Sequence, residues 1–279
     1  MGALSVFCRK KILINTERVI YRFQALLNRI ENTEINPLLD KIQFDVQCQA
    51  PGMELYIKKI LSLFPENSLK RGHCKTISVL PPAWFGKGST PEAPIVVNHL
   101  AEAEDKYSLA CGRASYLLYP WKNPYEQKIE LFLFPDYIDK RVAKIFLIYS
   151  VLHEYAHTLQ KPSYFWLVYA MNCLHYAYPE KPTYILKIKG KDVDPKKWQD
   201  QFMLRALNYP PITTYSAIYE NADVTLRNHE YVADYIATYL MGIAMNHKMP
   251  DRWGGLGDRP ELKNKIQQFL EAEAIIEIV

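Results

Sequence analysis

The run His153-Glu154-Tyr155-Ala156-His157 constrains this chain more than any other feature. On a helix, residues four apart lie one turn above each other, so His153 and His157 present two imidazoles on one face. That arrangement suits a single zinc ion. Glu154 stands one position along, near such a metal but not on it. From there a carboxylate can take a proton from a metal-bound water and pass it to a leaving amine. Tyr155, Ala156 and Thr158 are uncharged, and Ile145, Ile148, Leu152, Ala156 and Leu159 fall on or near the opposite face. This is the pattern of a helix with one buried side and one side carrying a site. Two histidines at chance spacing on a solvated helix would not need those flanks.

A zinc site of this kind needs a third protein ligand. The run His229-Glu230-Tyr231-Val232-Ala233-Asp234 supplies candidates within a second helical segment, expected over 222–247. Glu230 and Asp234 are spaced i, i+4 and share one face. Their neighbours Val232, Ala233, Tyr235, Ile236, Ala237, Tyr239 and Leu240 make the helix apolar nearly all round, and such a helix should not bury two carboxylates without partners. We expect Glu230 to bind the metal and Asp234 to accept the N–H of a ligand histidine, fixing its tautomer. His229 is the rival ligand. Adjacent helical residues point about 100° apart, so only one of the two can face the metal, and only Glu230 has Asp234 at i+4. His175, His73 and His99 read as packed, isolated or structural residues.

An HExxH run followed by a downstream helix bearing Glu-x-x-Ala-Asp resembles the gluzincin metallopeptidases, single-domain members included. By that resemblance His153 and His157 match the histidine ligands, Glu154 the general base, Glu230 the glutamate ligand and Asp234 the histidine-orienting aspartate. It covers about residues 94–247. It implies an α+β chain with a zincin-like catalytic domain: a small mixed sheet, an active-site helix and a mainly helical remainder. It also implies Zn²⁺ as cofactor and a peptide or protein substrate, cleaved as by an endopeptidase rather than an exopeptidase. The strand just before the HExxH helix, over 128–134, would be the sheet edge to which an extended substrate adds. An oxyanion donor is expected as well. Tyr215, Tyr219 and Tyr231 lie near the Glu230 helix, and no local motif selects among them. Two other readings use the same residues: a non-catalytic binding or regulatory protein stabilised by zinc, and a metal-dependent hydrolase of a non-peptide substrate.

The rest of the chain bounds these expectations. Its 279 residues are 49% hydrophobic and 23% charged, the profile of an ordered globular protein. A net charge of +4 is too mild to argue for nucleic acid as a partner. The five cysteines are scattered, odd in number and form no Cys-x-x-Cys pair, which argues against a disulfide framework and for a reducing compartment. No stretch approaches the roughly 18 apolar residues of a membrane span. After Lys10 and Lys11, the residues Asn15, Glu17, Arg18 and Arg22 spoil any signal-peptide core. A soluble, cytoplasmic protein is expected, although leaderless secretion would leave no mark. Helices are expected over 10–31, 52–63, 138–160, 163–177 and 261–273, and strands over 95–98, 114–119 and 128–134, the last two joined as a hairpin through Trp121-Lys122-Asn123-Pro124. The Pro- and Gly-dense segment 80–94 suggests a boundary between a mainly helical N-terminal lobe, 1–90, and a metallopeptidase domain, 91–279.

Overall fold

The computed structural model describes residues 2–47, 50–72, 74–81, 83–85, 108–110, 112–117, 126–133, 139–159, 184–188, 191–192, 211–212, 218–221, 224–246, 259–271 and 275–278. The chain opens with helix α1 (Gly2–Glu31). In its C-terminal half Ile20, Phe23, Leu26, Leu27 and Ile30 recur at helical spacing and are all buried. A short strand β1 (Gln43–Val46) follows, then helices α2 (Met53–Leu61) and α3 (Glu66–Arg71). Gly52 starts α2 in the left-handed region, at φ 77, which favours glycine. Strand β2 (Cys74–Leu80) comes next, then the antiparallel pair β3 (Ala83–Phe85) and β4 (Ser108–Ala110). Strands β5 (Gly112–Leu117) and β6 (Glu126–Phe132) form an antiparallel hairpin, and helix α4 (Lys140–Leu159) follows. The C-terminal part holds strands β7 (Tyr184–Ile188) and β8 (Lys191–Asp192), and helices α5 (Val224–Ala244) and α6 (Pro260–Glu271). The last element, β9 (Ile275–Ile278), pairs antiparallel with β7.

The main sheet has the order β1-β2-β6-β5. β1, β2 and β6 run parallel, and β5 runs antiparallel at one end. Parallel neighbours need a crossover rather than a tight turn, and α2 with α3 provides it between β1 and β2. Ile77 and Val79 of β2 and Ile129 and Leu131 of β6 are buried in one cluster with residues of α1, α2, α4, α5 and α6. The helices and the sheet therefore share one apolar core, and burying each such side chain contributes about 1.5–3 kcal/mol. The architecture is α+β. Among the described residues, no helix is long and apolar enough to cross a membrane.

Three expectations meet a different arrangement. β6, expected at the sheet edge over 128–134, is an interior strand paired on both sides, and the end strand is β5. The reason is the parallel pairing of β2 with β6, register Ile77 to Ile129 and Val79 to Leu131, which covers the side that would have been free. Second, the sheet draws β1 and β2 from residues 1–90 and β5 and β6 from 91–279, while α1 and α2 pack against α4. The first ninety residues are thus built into the sheet and its core rather than standing off as a helical lobe. Third, β3 occupies part of the segment read as a loop over 80–94. The strand expected over 95–98, the helix over 163–177 and the turn at 121–124 lie outside the described residues.

Candidate metal centre

Helix α4 begins at Asp139, whose backbone carbonyl accepts from Ala143 N at 2.8 Å and whose Oδ1 accepts from Arg141 N at 2.8 Å. This is an N-cap, satisfying donors that the first turn cannot pair internally. From Ser150 to Leu159 every residue of the helix is buried. Polar groups in such a segment need partners. Ser150 Oγ donates back to Phe146 O at 2.9 Å, and Thr158 Oγ1 donates to Tyr155 O at 2.7 Å. His153 and His157 remain, with ring nitrogens that face α5, and Glu154 is buried at the next position after His153.

The partners come from a stripe on α5 spaced by fours: Glu230, Asp234 and Thr238, all buried. His153 Nε2 lies 3.2 Å from Glu230 Oε2, and His157 Nε2 lies 3.2 Å from His153 Nε2. His157 Nε2 and Glu230 Oε2 are 3.7 Å apart. One turn earlier on α4, the Tyr149 hydroxyl donates to Asp234 Oδ1 at 2.7 Å. Numbers fall along α4 as they rise along α5, so the two helices pack antiparallel and their polar residues meet as rungs. Thr238 Oγ1 ends the stripe, buried and without a hydrogen-bond partner.

Three donor atoms, two imidazole nitrogens and one carboxylate oxygen, thus converge from two helices. Ligands bound at about 2.1 Å in a tetrahedral arrangement lie about 3.4 Å from one another. Separations of 3.2, 3.2 and 3.7 Å fit that triangle, so the group can hold a divalent metal ion. The electrostatics agree. Burial pushes the Glu230 carboxyl up, yet His157 and His153 facing it hold it well below the usual carboxylate range. Burial pushes His153 down, but its hydrogen bond to Glu230 leaves it above the ordinary histidine value. A metal needs deprotonated ligand atoms, so metal uptake here would release the proton that the Glu230 contact favours on His153.

The structure brings together His153, His157 and Glu230, with Asp234 one turn beyond, as the spacing predicted. Glu154, 7% exposed, adjoins His153. Asp234 accepts from a side chain that also neighbours a ligand histidine. The Tyr149 hydroxyl that bonds to it lies 3.5 Å from His153 Nδ1 and stands beside both residues. Sequence reading missed Tyr149, although its place four residues before His153 puts it on the ligand face. Tyr231, one of the three tyrosines considered as oxyanion donors, is 3% exposed and sits in the core with its ring 6.2 Å from that of Tyr235. It points about 100° away from Glu230 around the helix. Tyr219 belongs to a short 3-10 turn, Ile218–Asn221, that packs against α5, and its side chain lies outside the described set. Tyr215, His73, His99 and His175 lie outside the described residues, as does the side chain of His229. Tyr155, between the two histidines, anchors the helix from behind: its ring lies 4.8 Å from Phe64 and its hydroxyl abuts Gly72. Compared with known proteins, the chain matches no family model and no curated sequence.

Proposed function

We propose that the protein is a zinc-dependent metallopeptidase of gluzincin type, built on a zincin-like fold. The observation that carries this reading is the convergence of His153, His157 and Glu230 in one buried group, with a further carboxylate, Glu154, at the next position after the first histidine. His153, His157 and Glu230 would hold the metal. A zinc ion there would supply Lewis acidity and a hydrolytic nucleophile at neutral pH. A purely structural zinc site has no use for a base beside the ligands, so Glu154 favours catalysis. Glu154 takes a proton from the attacking water and returns it to the leaving nitrogen. The peptide as substrate is supported by β5, which ends the sheet among the described residues and packs against α4. An end strand offers main-chain donors and acceptors to an extended chain.

The test combines metal analysis with a Glu154→Gln variant assayed on a peptide library. We expect one zinc per chain in both proteins, with cleavage reduced by about 10²–10⁴-fold in the variant. Purified protein without stoichiometric metal, or a variant that cleaves as well as wild type, would overturn the proposal.

A further inference from the structure

Tyr149 is placed to do more than fill space between α4 and α5. Its hydroxyl donates to Asp234 Oδ1 at 2.7 Å, and the same oxygen lies 3.5 Å from His153 Nδ1. The two rings are 5.5 Å apart between centroids. His153 Nε2, the other ring nitrogen, is the atom that faces Glu230 and His157. Asp234 is fully buried, and an ionised carboxylate can only accept. The tyrosine has one proton, and the short contact with Asp234 uses it. Toward His153 the phenolic oxygen can therefore only accept, which requires the proton of the ring to sit on Nδ1. Without metal, Nε2 carries a proton toward the Glu230 carboxylate, which can only accept. Once a metal displaces that proton, an imidazole still protonated on Nδ1 offers the Nε2 lone pair. At 3.5 Å the contact is at the outer edge of hydrogen-bond reach, and contacts of this kind tighten when a site is filled.

We infer that Tyr149 is a positioning residue that relays the charge of Asp234 to His153 and holds His153 in the tautomer whose Nε2 can take a metal. The relay runs from Nδ1–H of His153 to the Tyr149 oxygen, and from the Tyr149 O–H to Asp234. It places a neutral phenol between ligand and carboxylate, so the oxygen contact, not the bulk of the ring, is what Tyr149 contributes. The inference rests on the reading of His153, His157 and Glu230 as metal ligands, and its test is separable from that reading.

The full chain is titrated with Zn²⁺ against a competing chelator for wild type, Tyr149→Phe, Asp234→Asn and the double variant. Imidazole ¹⁵N spectra are recorded on each protein without metal and with zinc. Loss of the hydroxyl should weaken zinc binding roughly 10–100-fold, as loss of a partner that orients a ligand does. Because the two residues form one relay, the double variant should lose no more than the worse single one. In the spectra, Nδ1 of His153 should carry a proton in wild type both metal-free, where Nε2 also carries one toward Glu230, and loaded, where Nε2 is bare. In metal-free Tyr149→Phe a share of His153 should lose the Nδ1 proton and keep only that on Nε2. Equal zinc affinity in wild type and Tyr149→Phe to within about twofold, losses that add, or unchanged tautomers would overturn the relay. If wild type takes up no zinc, the metal reading falls, and the metal-free spectra still decide the relay. If Tyr149→Phe does not fold, the wild-type spectrum decides alone, and a bare Nδ1 on His153 overturns the inference.

Discussion

Gly72 shows how a single residue behind the cluster constrains it. Its backbone is extended, at φ −68 and ψ 129, a conformation open to any residue. What excludes a side chain is space. A β-carbon there would meet the Tyr155 hydroxyl, would lie 2.7 Å from Tyr155 Cζ, and would also crowd Ser68 O at 3.2 Å. Tyr155 cannot retreat, since it is 1% exposed and packed on Phe64. Gly72→Ala should therefore destabilise the protein by about 1–3 kcal/mol, the usual cost of overpacking. Adding Tyr155→Phe to Gly72→Ala removes the hydroxyl but not Cζ, so it should restore part of the loss. Urea unfolding midpoints of the three proteins check this. A Gly72→Ala variant as stable as wild type would mean that Tyr155 is less firmly held than its packing implies. Tyr155 lies between His153 and His157 in sequence, so this steric contact fixes the phase of the helix on which the ligands ride.

At the scale of elements, α4 depends on its start as well as on its buried flank. Asp139 accepts from the N–H of Arg141, and the Arg141 guanidinium reaches Asp139 Oδ2 at 3.0 Å and Glu17 Oε1 of α1 at 2.8 Å. The Arg141 contacts hold the Asp139 carboxyl below the usual carboxylate range. These ion pairs are largely exposed and contribute little by themselves. The cap bond is worth about 1 kcal/mol, the expected cost of Asp139→Ala near neutral pH. A depressed carboxyl contributes stability above its unfolded value of about 3.9 and loses it as pH falls through the folded value. The penalty of Asp139→Ala should thus shrink as the medium is acidified below about pH 4, and Asp139→Asn should keep most of the cap while losing that pH dependence. Denaturation of the three proteins at neutral and acid pH measures both effects. The longer helices were legible in the sequence because their apolar residues recur at helical spacing: 10–31 holds most of α1 and 138–160 all of α4, whereas the short α3 was not expected. The hairpin of β5 and β6 was legible from its turn residues. β1, β2, β3, β4, β7, β8 and β9 were not. β2 runs Cys-Lys-Thr-Ile-Ser-Val-Leu with three consecutive buried residues near its end, so no alternation marks it. Its partner β6 lies some fifty residues away, a distance over which no local signal can specify a parallel register. Of the cluster, the spacing of His153, His157, Glu230 and Asp234 was readable because helical geometry alone places them. Tyr149 needed the packing of α4 on α5 to become visible.

For the molecule as a whole, the decisive question is whether the metal would hold the fold or only occupy it. His153 and Glu230 are 77 positions apart, so an ion bound by both would tie α4 to α5 across a long intervening segment. Yet the two helices do not depend on that tie. Ile145, Ile148, Leu152 and Ala156 of α4 and Ala233, Ile236, Ala237 and Leu240 of α5 belong to one buried cluster, which also takes in the sheet. The apolar burial of that interface greatly exceeds what one site contributes. A ligand that binds only the folded state, present at about 100 times its dissociation constant, adds about 2.7 kcal/mol. In a chain of this size that corresponds to a rise of roughly 5–10 °C in Tm. Chelation should therefore lower Tm by about that much while leaving the helical circular dichroism at 25 °C unchanged. The His157→Ala variant should show neither the rise with zinc nor the fall with chelator, because one of the three donors is gone. A chain that unfolded on chelation would behave as a protein held together by structural zinc. The role of Glu154 would then have no catalytic site to serve, so thermal melts with and without zinc weigh directly on the proposed hydrolytic function.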